Sequence, residues 1–318
     1  MYFTRNGDSF SVPIKPNSDG FTGRECPEAG CLGFFKVQFG TGLKGSNPCH
    51  CAYCGHVAAH NNFWTKQQLA YARSVVVNKV TSDLLRSLKK MEVRPDPRAF
   101  ISIGIKVEGR PHPIHYYREP NLEQEVICDR CTLRYAIYGA FGYCPDCGVH
   151  NSLQILNVNL DIVEKMLALA DAAEQAVAPK LIENALEDGV SAMDGFGREI
   201  CRVFASKAAD TATAKAISFQ NLSGARNQVQ KLFSVDIASP LKPEGWASLI
   251  RSFQKRHVLA HRMGVIDQLY LDRTGESPSL LGRRVTIPRD EVSELTAALR
   301  LVGGHLFREL ERQPLPGK

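Results

Sequence analysis

The chain carries the stretch Phe253-Gln254-Lys255-Arg256-His257-Val258-Leu259-Ala260-His261-Arg262-Met263-Gly264. Upstream of it, apolar side chains recur at helical spacing, namely Trp246, Leu249, Ile250 and Phe253. Pro243 suits the first turn of a helix and Gly264 suits its end. His257 and His261 are one helical turn apart on one face, at the edge of the apolar stripe. The stretch therefore predicts an amphipathic helix with a polar cluster beside its packed face.

The pattern Arg256-His257-x-x-x-His261, followed by Gly264 and Asp267, resembles the Arg-polar-x-x-x-His signature of HEPN domains. Three neighbouring segments are also similar, at residues 218–221, 270–275 and 282–285. The resemblance covers residues 157–312 and implies an all-α HEPN-like helical bundle. Amphipathic patterns at about 157–170, 179–204, 222–233 and 288–310 supply further helices for that bundle.

Composition and charge narrow the class of protein. A chain of 318 residues with 44% hydrophobic and 23% charged residues is typical of soluble proteins with two or three domains. No apolar run approaches a membrane span, and residues 1–6 lack the apolar core of a signal peptide, which predicts a cytoplasmic protein with no membrane partner. The net charge of +6 is compatible with a nucleic-acid partner.

Eight of the ten cysteines fall into close pairs, as in metal sites of a reducing compartment. The first four are Cys26, Cys31, Cys51 and Cys54, and the second four are Cys128, Cys131, Cys144 and Cys147. Two pairs at such separations can place four thiolates tetrahedrally around Zn²⁺. The spacing predicts two structural zinc sites and no catalytic metal. Cys49, His50 and His56 could each replace a ligand of the first site, with Cys49 interpreted as a spare thiol.

The fold class that follows is a multidomain α+β protein, with two small zinc-ribbon-like modules, each with four cysteine ligands, before the all-α HEPN-like bundle. We assign residues 1–62 to the first module, 63–95 to a linking helix, 96–156 to the second module and 313–318 to a tail. The linking helix begins after Asn61 or Asn62 and has an apolar face of Leu69, Ala72, Val76, Val80, Leu84 and Leu88. Strands are predicted at 33–39, 101–107, 114–117 and 134–138.

Cleavage of RNA without a metal needs a base for the 2′-hydroxyl, a cation for the crowded phosphate and an acid for the leaving oxygen. Histidine serves as base or acid near neutral pH, and arginine matches phosphate oxygens. The HEPN resemblance implies a homodimer in which two copies of Arg256, His257 and His261 line one composite catalytic cleft. By the same resemblance, the products are a 2′,3′-cyclic phosphate and a 5′-hydroxyl. Lys255 and Arg262 are predicted to contact the RNA.

The resemblance also implies a setting in phage defence or a toxin-type stress response, with an antitoxin or defence-system partner. The choice of an acidic partner for the site stays open among Asp188, Asp194 and Glu199. Two alternatives remain beside the endoribonuclease. One is a non-catalytic zinc-ribbon protein that binds nucleic acid or acts as an adaptor, with a dimerising HEPN domain. In the other, Arg256 and His261 form a buried hydrogen-bonding pair that closes the bundle.

Overall fold

The computed structural model of the protein describes residues 2–5, 8–43, 48–94, 104–122 and 124–314, without the side chains of residues 2–5 and 8–10. The chain forms two compact units, Met1–His150 and Asn151–Lys318. The first contains short strands and one long helix, and the second is helical. The predicted order, a cysteine-rich β region before a helical region, is therefore confirmed.

One four-stranded antiparallel sheet forms the centre of the first unit, in the order β3-β4-β8-β7. Its strands are β3 (Phe21–Glu25), β4 (Phe34–Gln38), β7 (Gln124–Ile127) and β8 (Arg134–Ile137). Two separate strand pairs complete the unit, β1 (Tyr2–Arg5) with β2 (Asp8–Ser11), and β5 (Cys49–His50) with β6 (Val57–Ala58). Strands β4 and β8 correspond to the predicted segments 33–39 and 134–138, while β3 and β7 were not predicted.

The two cysteine-rich segments share this sheet, which differs from the predicted pair of separate modules. Strand β4 of the first segment pairs with β8 of the second, with Val37 opposite Tyr135. Phe35, Phe63 and Tyr135 are fully buried in one core that also includes cysteines from both segments. Each segment supplies only one hairpin to the sheet, so neither has enough apolar surface for a core of its own.

Helix α1 (Lys66–Lys89) is capped by Thr65, and the predicted caps Asn61 and Asn62 are wrong because they lie in a 3₁₀ turn, His60–Phe63. The Thr65 side chain accepts from the Gln68 N–H, and the Gln68 side chain accepts from the Thr65 N–H, which makes a capping box. The predicted apolar face packs only in the first turns. Farther along, Val80, Leu84 and Leu88 are 47%, 55% and 37% exposed.

Two predicted strands of the first unit are not found as such. Residues 101–103 of the first lie outside the described residues, and Ile105 makes only an isolated bridge with Val93. The second, at 114–117, has no regular secondary structure. This segment packs through side chains instead, as Tyr117 stacks edge-on against Tyr71 with ring centroids 5.7 Å apart.

The second unit is built from the helices α2 (Ser152–Asp171), α3 (Ala178–Val203), α4 (Thr211–Lys215), α5 (Leu222–Phe233), α6 (Pro243–Arg262), α7 (Gln268–Thr274) and α8 (Arg289–Arg312). Helices α2, α3 and α8 pack on one another, and α6 packs on α3 and α8. Fully buried side chains recur at helical spacing along these helices, for example Leu160, Leu167, Met193, Ile200 and Leu299.

The bounds of α5 and α6 agree with the sequence prediction, whereas α2 begins at Ser152, before the predicted residue 157. Helices α4 and α7 are too short to show a helical period and were not predicted. Cys201 is fully buried in α3, as expected, and burial raises the pKa of its thiol to about 12. In the described part of the chain, no helix has both the length and the apolar character needed to cross a membrane. Residues 315–318 of the predicted tail lie outside that part.

Candidate functional sites: two cysteine clusters and the end of helix α6

The structure gathers the first four cysteines, Cys26, Cys31, Cys51 and Cys54, into one group whose sulfur atoms all lie within 4.8 Å of one another. The Sγ atoms of Cys26 and Cys54 are 3.7 Å apart, and so are those of Cys31 and Cys51. Four thiolates held tetrahedrally about 2.3 Å from a Zn²⁺ ion are separated by roughly 3.8 Å. The group can therefore hold a metal ion.

The second group, Cys128, Cys131, Cys144 and Cys147, has the same arrangement and meets the same distance limit. Its Sγ atoms are 3.7 Å apart between Cys128 and Cys147, and 3.4 Å apart between Cys131 and Cys144. Three of these side chains are buried and the fourth is partly exposed. This group can also hold one metal ion, with four protein ligands and no open coordination position.

All four cysteine pairs use the same turn. The residue after the second cysteine has a positive φ in each case: Leu32 (49°), Gly55 (72°), Thr132 (64°) and Gly148 (70°). In the second cluster the N–H of Thr132 donates to the Cys128 carbonyl at 2.8 Å, and the N–H of Gly148 donates to the Cys144 carbonyl at 2.9 Å. The turn folds the chain back so that both thiols of a pair face the same point. Two of these turns can be recognised in the sequence, because Gly55 and Gly148 directly follow the second cysteine of their pairs.

Burial disfavours the charged thiolate form of several of these cysteines. It raises the pKa of Cys51 to about 11 and the pKa of Cys131 to about 12. A metal ion has to displace their protons, because the thiolate is the form that coordinates. Cys49 is fully buried but lies outside the cluster, with its Sγ 3.7 Å from the His50 carbonyl oxygen. His56 faces Glu28 at 3.5 Å, so neither takes the place of a cysteine.

The turn at Gly148 gives a sharp test of this local geometry. An added Cβ would meet the His50 ring at 2.7 Å, and φ is +70°. Gly139 has a similar φ of +74°, but a Cβ there meets nothing within 4 Å. We expect Gly139→Ala to cost about 1–2 kcal/mol of unfolding free energy from backbone strain alone, and Gly148→Ala to cost more. Urea unfolding measures the free energy of unfolding of both variants. Equal losses would mean that the His50 ring moves aside without an energetic penalty.

The end of helix α6 brings the predicted catalytic side chains together. The rings of His257 and His261 are 4.8 Å apart between centroids. His261 is exposed, while Arg256 and His257 are half-buried. The helix ends where the N–H of Gly264 donates to the Val258 carbonyl at 2.9 Å. Arg256 and His261 are therefore open to solvent at one helix end and are not sealed inside the bundle.

The surroundings of this pair are rich in positive charge. The Nε atom of Arg256 is buried without a hydrogen-bond partner, and in the described part of the chain its guanidinium has no carboxylate partner. Arg273 from α7 donates to the side-chain oxygen of Gln254 at 3.2 Å, a neutral partner. Arg262 is exposed and lies 3.5 Å from Asp267. The site thus presents guanidinium groups that an anion can bind.

Burial lowers the pKa of His257, and the positive charges of His261, Arg273 and Arg256 lower it further, while Asp267 acts in the opposite direction. His257 is therefore neutral at neutral pH and can accept a proton. Asp267 caps α7, where its carboxylate accepts from the Tyr270 N–H at 2.9 Å. Sequence reasoning did not connect Asp267 with the histidines. Its position a few residues after the end of α6 is the signal that could have done so.

Lys255 has a different role from the predicted one. It is only 8% exposed, and its Nζ lies 2.5 Å from a carboxylate oxygen of Glu291. The same ammonium donates to the Thr286 carbonyl at 3.0 Å. Lys255 faces inward from α6 and ties this helix to α8, so its ammonium is not available to a nucleic acid. Arg262, whose side chain is 64% exposed, can still contact one.

Two of the three acidic candidates from helix α3 are bound to neighbours of their own. Asp194 accepts from Arg198 and from the Phe219 N–H, and Glu199 pairs with Arg202. Asp188 is exposed on the same helix. Both paired carboxylates hold their own part of the bundle together. Asp267 is therefore the acid that we associate with the site.

The lowered pKa of His257 predicts a pH effect on stability. Unfolding returns its pKa to about 6.5, so in acid the unfolded chain binds a proton before the folded chain does. This contribution to stability is present above that pH and is lost as the pH falls below it. We expect the melting temperature to fall as the pH drops below about 6.5, and to fall less in His257→Gln. An identical fall in both proteins would contradict the assigned environment of His257.

Comparison of the chain with models of known protein families, with curated proteins and with solved structures found no match. The HEPN resemblance therefore rests on the sequence alone, on the α6 motif and on the three neighbouring segments.

Proposed function

We propose that the protein is a metal-independent endoribonuclease of HEPN type, which acts as a homodimer with a composite Arg/His active site. The observation that carries this proposal is the helix end itself, where imidazoles 4.8 Å apart lie beside the guanidinium of Arg256, which has no carboxylate partner in the described region. Imidazole supplies the base and the acid, and guanidinium supplies charge stabilisation for the phosphate. A metal ion is not needed for any of these roles.

In this proposal a histidine removes the proton from the ribose 2′-hydroxyl, which attacks the neighbouring phosphorus atom. The bond from phosphorus to the 5′-oxygen breaks, and a second histidine returns a proton to that oxygen. Arg256 balances the charge that builds up on the phosphate oxygens. The neutral His257 positions His261 or contacts the substrate. The products are a 2′,3′-cyclic phosphate and a 5′-hydroxyl.

One chain supplies only one Arg256 and one His261, so the proposal places two chains around one cleft. Apolar side chains exposed next to the site support this arrangement. Met263, Val265, Leu269 and Leu281 are 85%, 44%, 45% and 53% exposed, and all follow α6 within the same segment. A second copy that covers them would bury apolar surface and bring the two helix ends together.

The two cysteine clusters complete the proposal. We assign one structural Zn²⁺ to each, because four thiolates at these separations suit its tetrahedral preference and leave no position for a substrate. We propose RNA as the substrate, and phage defence or a toxin-type stress response as the setting. An antitoxin or defence-system partner would restrain the activity there.

The test uses zinc-loaded protein and matched RNA and DNA strands in a low concentration of EDTA. We expect cleavage of the RNA to products with cyclic phosphate ends and survival of the DNA, because DNA lacks the 2′-hydroxyl. Light scattering should give the mass of a dimer. Intact RNA, with the protein still bound to it, would instead favour a non-catalytic nucleic-acid-binding protein.

A further inference from the structure

A cavity of about 530 Å³ lies in the first unit, far along the chain from the proposed catalytic residues. Lys36 of strand β4 lines it. Because Lys36 alternates with Phe35 and Val37, which are buried in the aromatic core, it projects from the opposite face of the sheet. Small-molecule sites have volumes of about 300–1,000 Å³, so the cavity is large enough for a ligand.

Lys36 is only 5% exposed, yet it has no hydrogen bond or ion pair with any described residue. Its Nζ is not fully enclosed by protein, so the ammonium reaches the cavity that Lys36 lines. A ligand in the cavity can therefore supply the acceptor that the described residues do not.

Glu119 supplies the complementary group. One of its carboxylate oxygens accepts from the Gly23 N–H and from the Gln68 side chain, both at 3.0 Å. The other oxygen is buried and has no partner in the described structure. Gly23 lies directly opposite Lys36 in the β3–β4 pair, and a Cβ on Gly23 would come within 2.7 Å of Glu119. The glycine thus leaves room for the Glu119 carboxylate on the face of the sheet from which Lys36 projects, and that carboxylate keeps one oxygen without a described partner at the edge of the cavity.

Tyrosines form the wall of this cavity. Tyr71 lies between Tyr116 and Tyr117, with ring centroids 6.1 Å and 5.7 Å away. Tyr116 is 81% exposed, so its ring face is free to stack on a ligand. Lys15 and Arg118 at the rim outnumber the acidic Asp19 there. A flat heteroaromatic ligand that carries a phosphate fits this combination.

We propose that this cavity binds a guanine or uracil nucleotide. The base stacks on Tyr116, its ring N–H donates to the free oxygen of Glu119, and its adjacent carbonyl oxygen accepts from Lys36. Guanine and uracil both offer an N–H beside a carbonyl oxygen, whereas adenine and cytosine lack this pair on the same edge. Lys15 and Arg118 receive the phosphate. The nucleotide comes either from single-stranded RNA or from the free pool.

Calorimetric titration of the zinc-loaded full chain tests the site, with GMP, UMP, AMP, CMP and inorganic phosphate as separate probes. We expect GMP and UMP to bind at least about ten-fold more tightly than AMP and CMP. Tyr116→Ala should weaken this binding about ten-fold or more, because one stacked base is lost. Glu119→Gln should abolish the preference, since an amide N–H₂ replaces the free acceptor. Tyr138→Ala, an exposed tyrosine outside the cavity, is the matched control and should bind as the wild type does.

A second pair of probes separates the two sources of the nucleotide. Short 2′-O-methylated oligouridylate and oligoadenylate cannot be cleaved through the 2′-oxygen, so any nuclease activity leaves them intact. Tighter binding of oligouridylate than of UMP assigns the site to RNA, and binding of mononucleotides alone assigns it to free nucleotides.

Three results would overturn the proposal. They are equal binding of all four nucleotides, binding of inorganic phosphate as tight as that of GMP, and no binding of any probe. Lys36→Met keeps the unbranched stem of the side chain and removes the ammonium donor, so unchanged GMP affinity in a folded Lys36→Met protein would overturn it as well. Each of these results leaves RNA cleavage by the α6 residues untouched, because binding and cleavage are measured on different substrates.

Discussion

His261→Ala and Arg256→Ala should each lower the rate of RNA cleavage by at least about 10²-fold, while RNA binding changes much less. The size follows from the roles, since a positioned acid or base contributes about 10²–10⁴ and one charge-stabilising donor about 10²–10³. Both side chains reach solvent at the end of α6, so replacing them removes little packing. Gel assays of initial rates at saturating RNA, in low EDTA, measure the effect.

Arg262→Ala is the matched control, because Arg262 lies on the same helix end, is exposed and, among the described residues, pairs with Asp267 at 3.5 Å. Its loss should weaken RNA binding and reduce the salt dependence of affinity, with the rate at saturating RNA retained. Wild-type rates in His261→Ala and Arg256→Ala would end the endoribonuclease proposal.

Mixing the two inactive variants tests whether the cleft is composite. A dimer of one Arg256→Ala chain and one His261→Ala chain still offers one Arg256, one His261 and two copies of His257 if both helix ends line the same cleft. We therefore expect the mixture, after exchange of subunits, to cleave faster than either variant alone. If each chain instead contained a complete site, no exchange of subunits could restore activity.

The α6 segment shows what sequence could predict of the site. Pro243 and Gly264 mark the bounds of the helix, and the spacing of His257 and His261 places their rings together, because these are properties of local sequence. Lys255 shows where this reasoning fails. The sequence placed it in a basic run, but its partner Glu291 lies on another helix, and no local pattern relates the two. A buried ion pair between distant segments becomes visible only once the helices are packed.

The fold of the first unit likewise combines local features that the sequence predicts with a long-range pairing that it does not. Cysteine spacing predicted both clusters, since each pair closes a short local turn. The pairing of β4 with β8 joins residues about one hundred positions apart, for example Lys36 with Ala136, and leaves no periodic sign in the sequence. The cavity between Lys36 and Glu119 depends on that fold and on an irregular segment, so sequence reasoning missed it.

Cys144→Ser should remove metal from both clusters and unfold the first unit. Cys144 is fully buried, and its Sγ lies 3.4 Å from that of Cys131. Apparent binding free energies of structural zinc sites are about 10–16 kcal/mol, which exceeds or equals the whole stability of a typical domain. Serine offers no thiolate, so the second site fails. Because both clusters share one sheet and one core, the first site should lose its support as well.

Zinc content by mass spectrometry, together with the soluble yield, measures this outcome. Cys49→Ser is the control, since Cys49 is equally buried but lies outside both groups, and it should keep both metal ions. Loss of only one zinc ion, with the first unit still folded, would show that the two clusters fold independently in spite of their common sheet. Full zinc content in Cys144→Ser would remove Cys144 from the ligand set. The shared core favours the cooperative result, because a hairpin that loses its metal leaves Phe35 and Tyr135 exposed on the strands that remain.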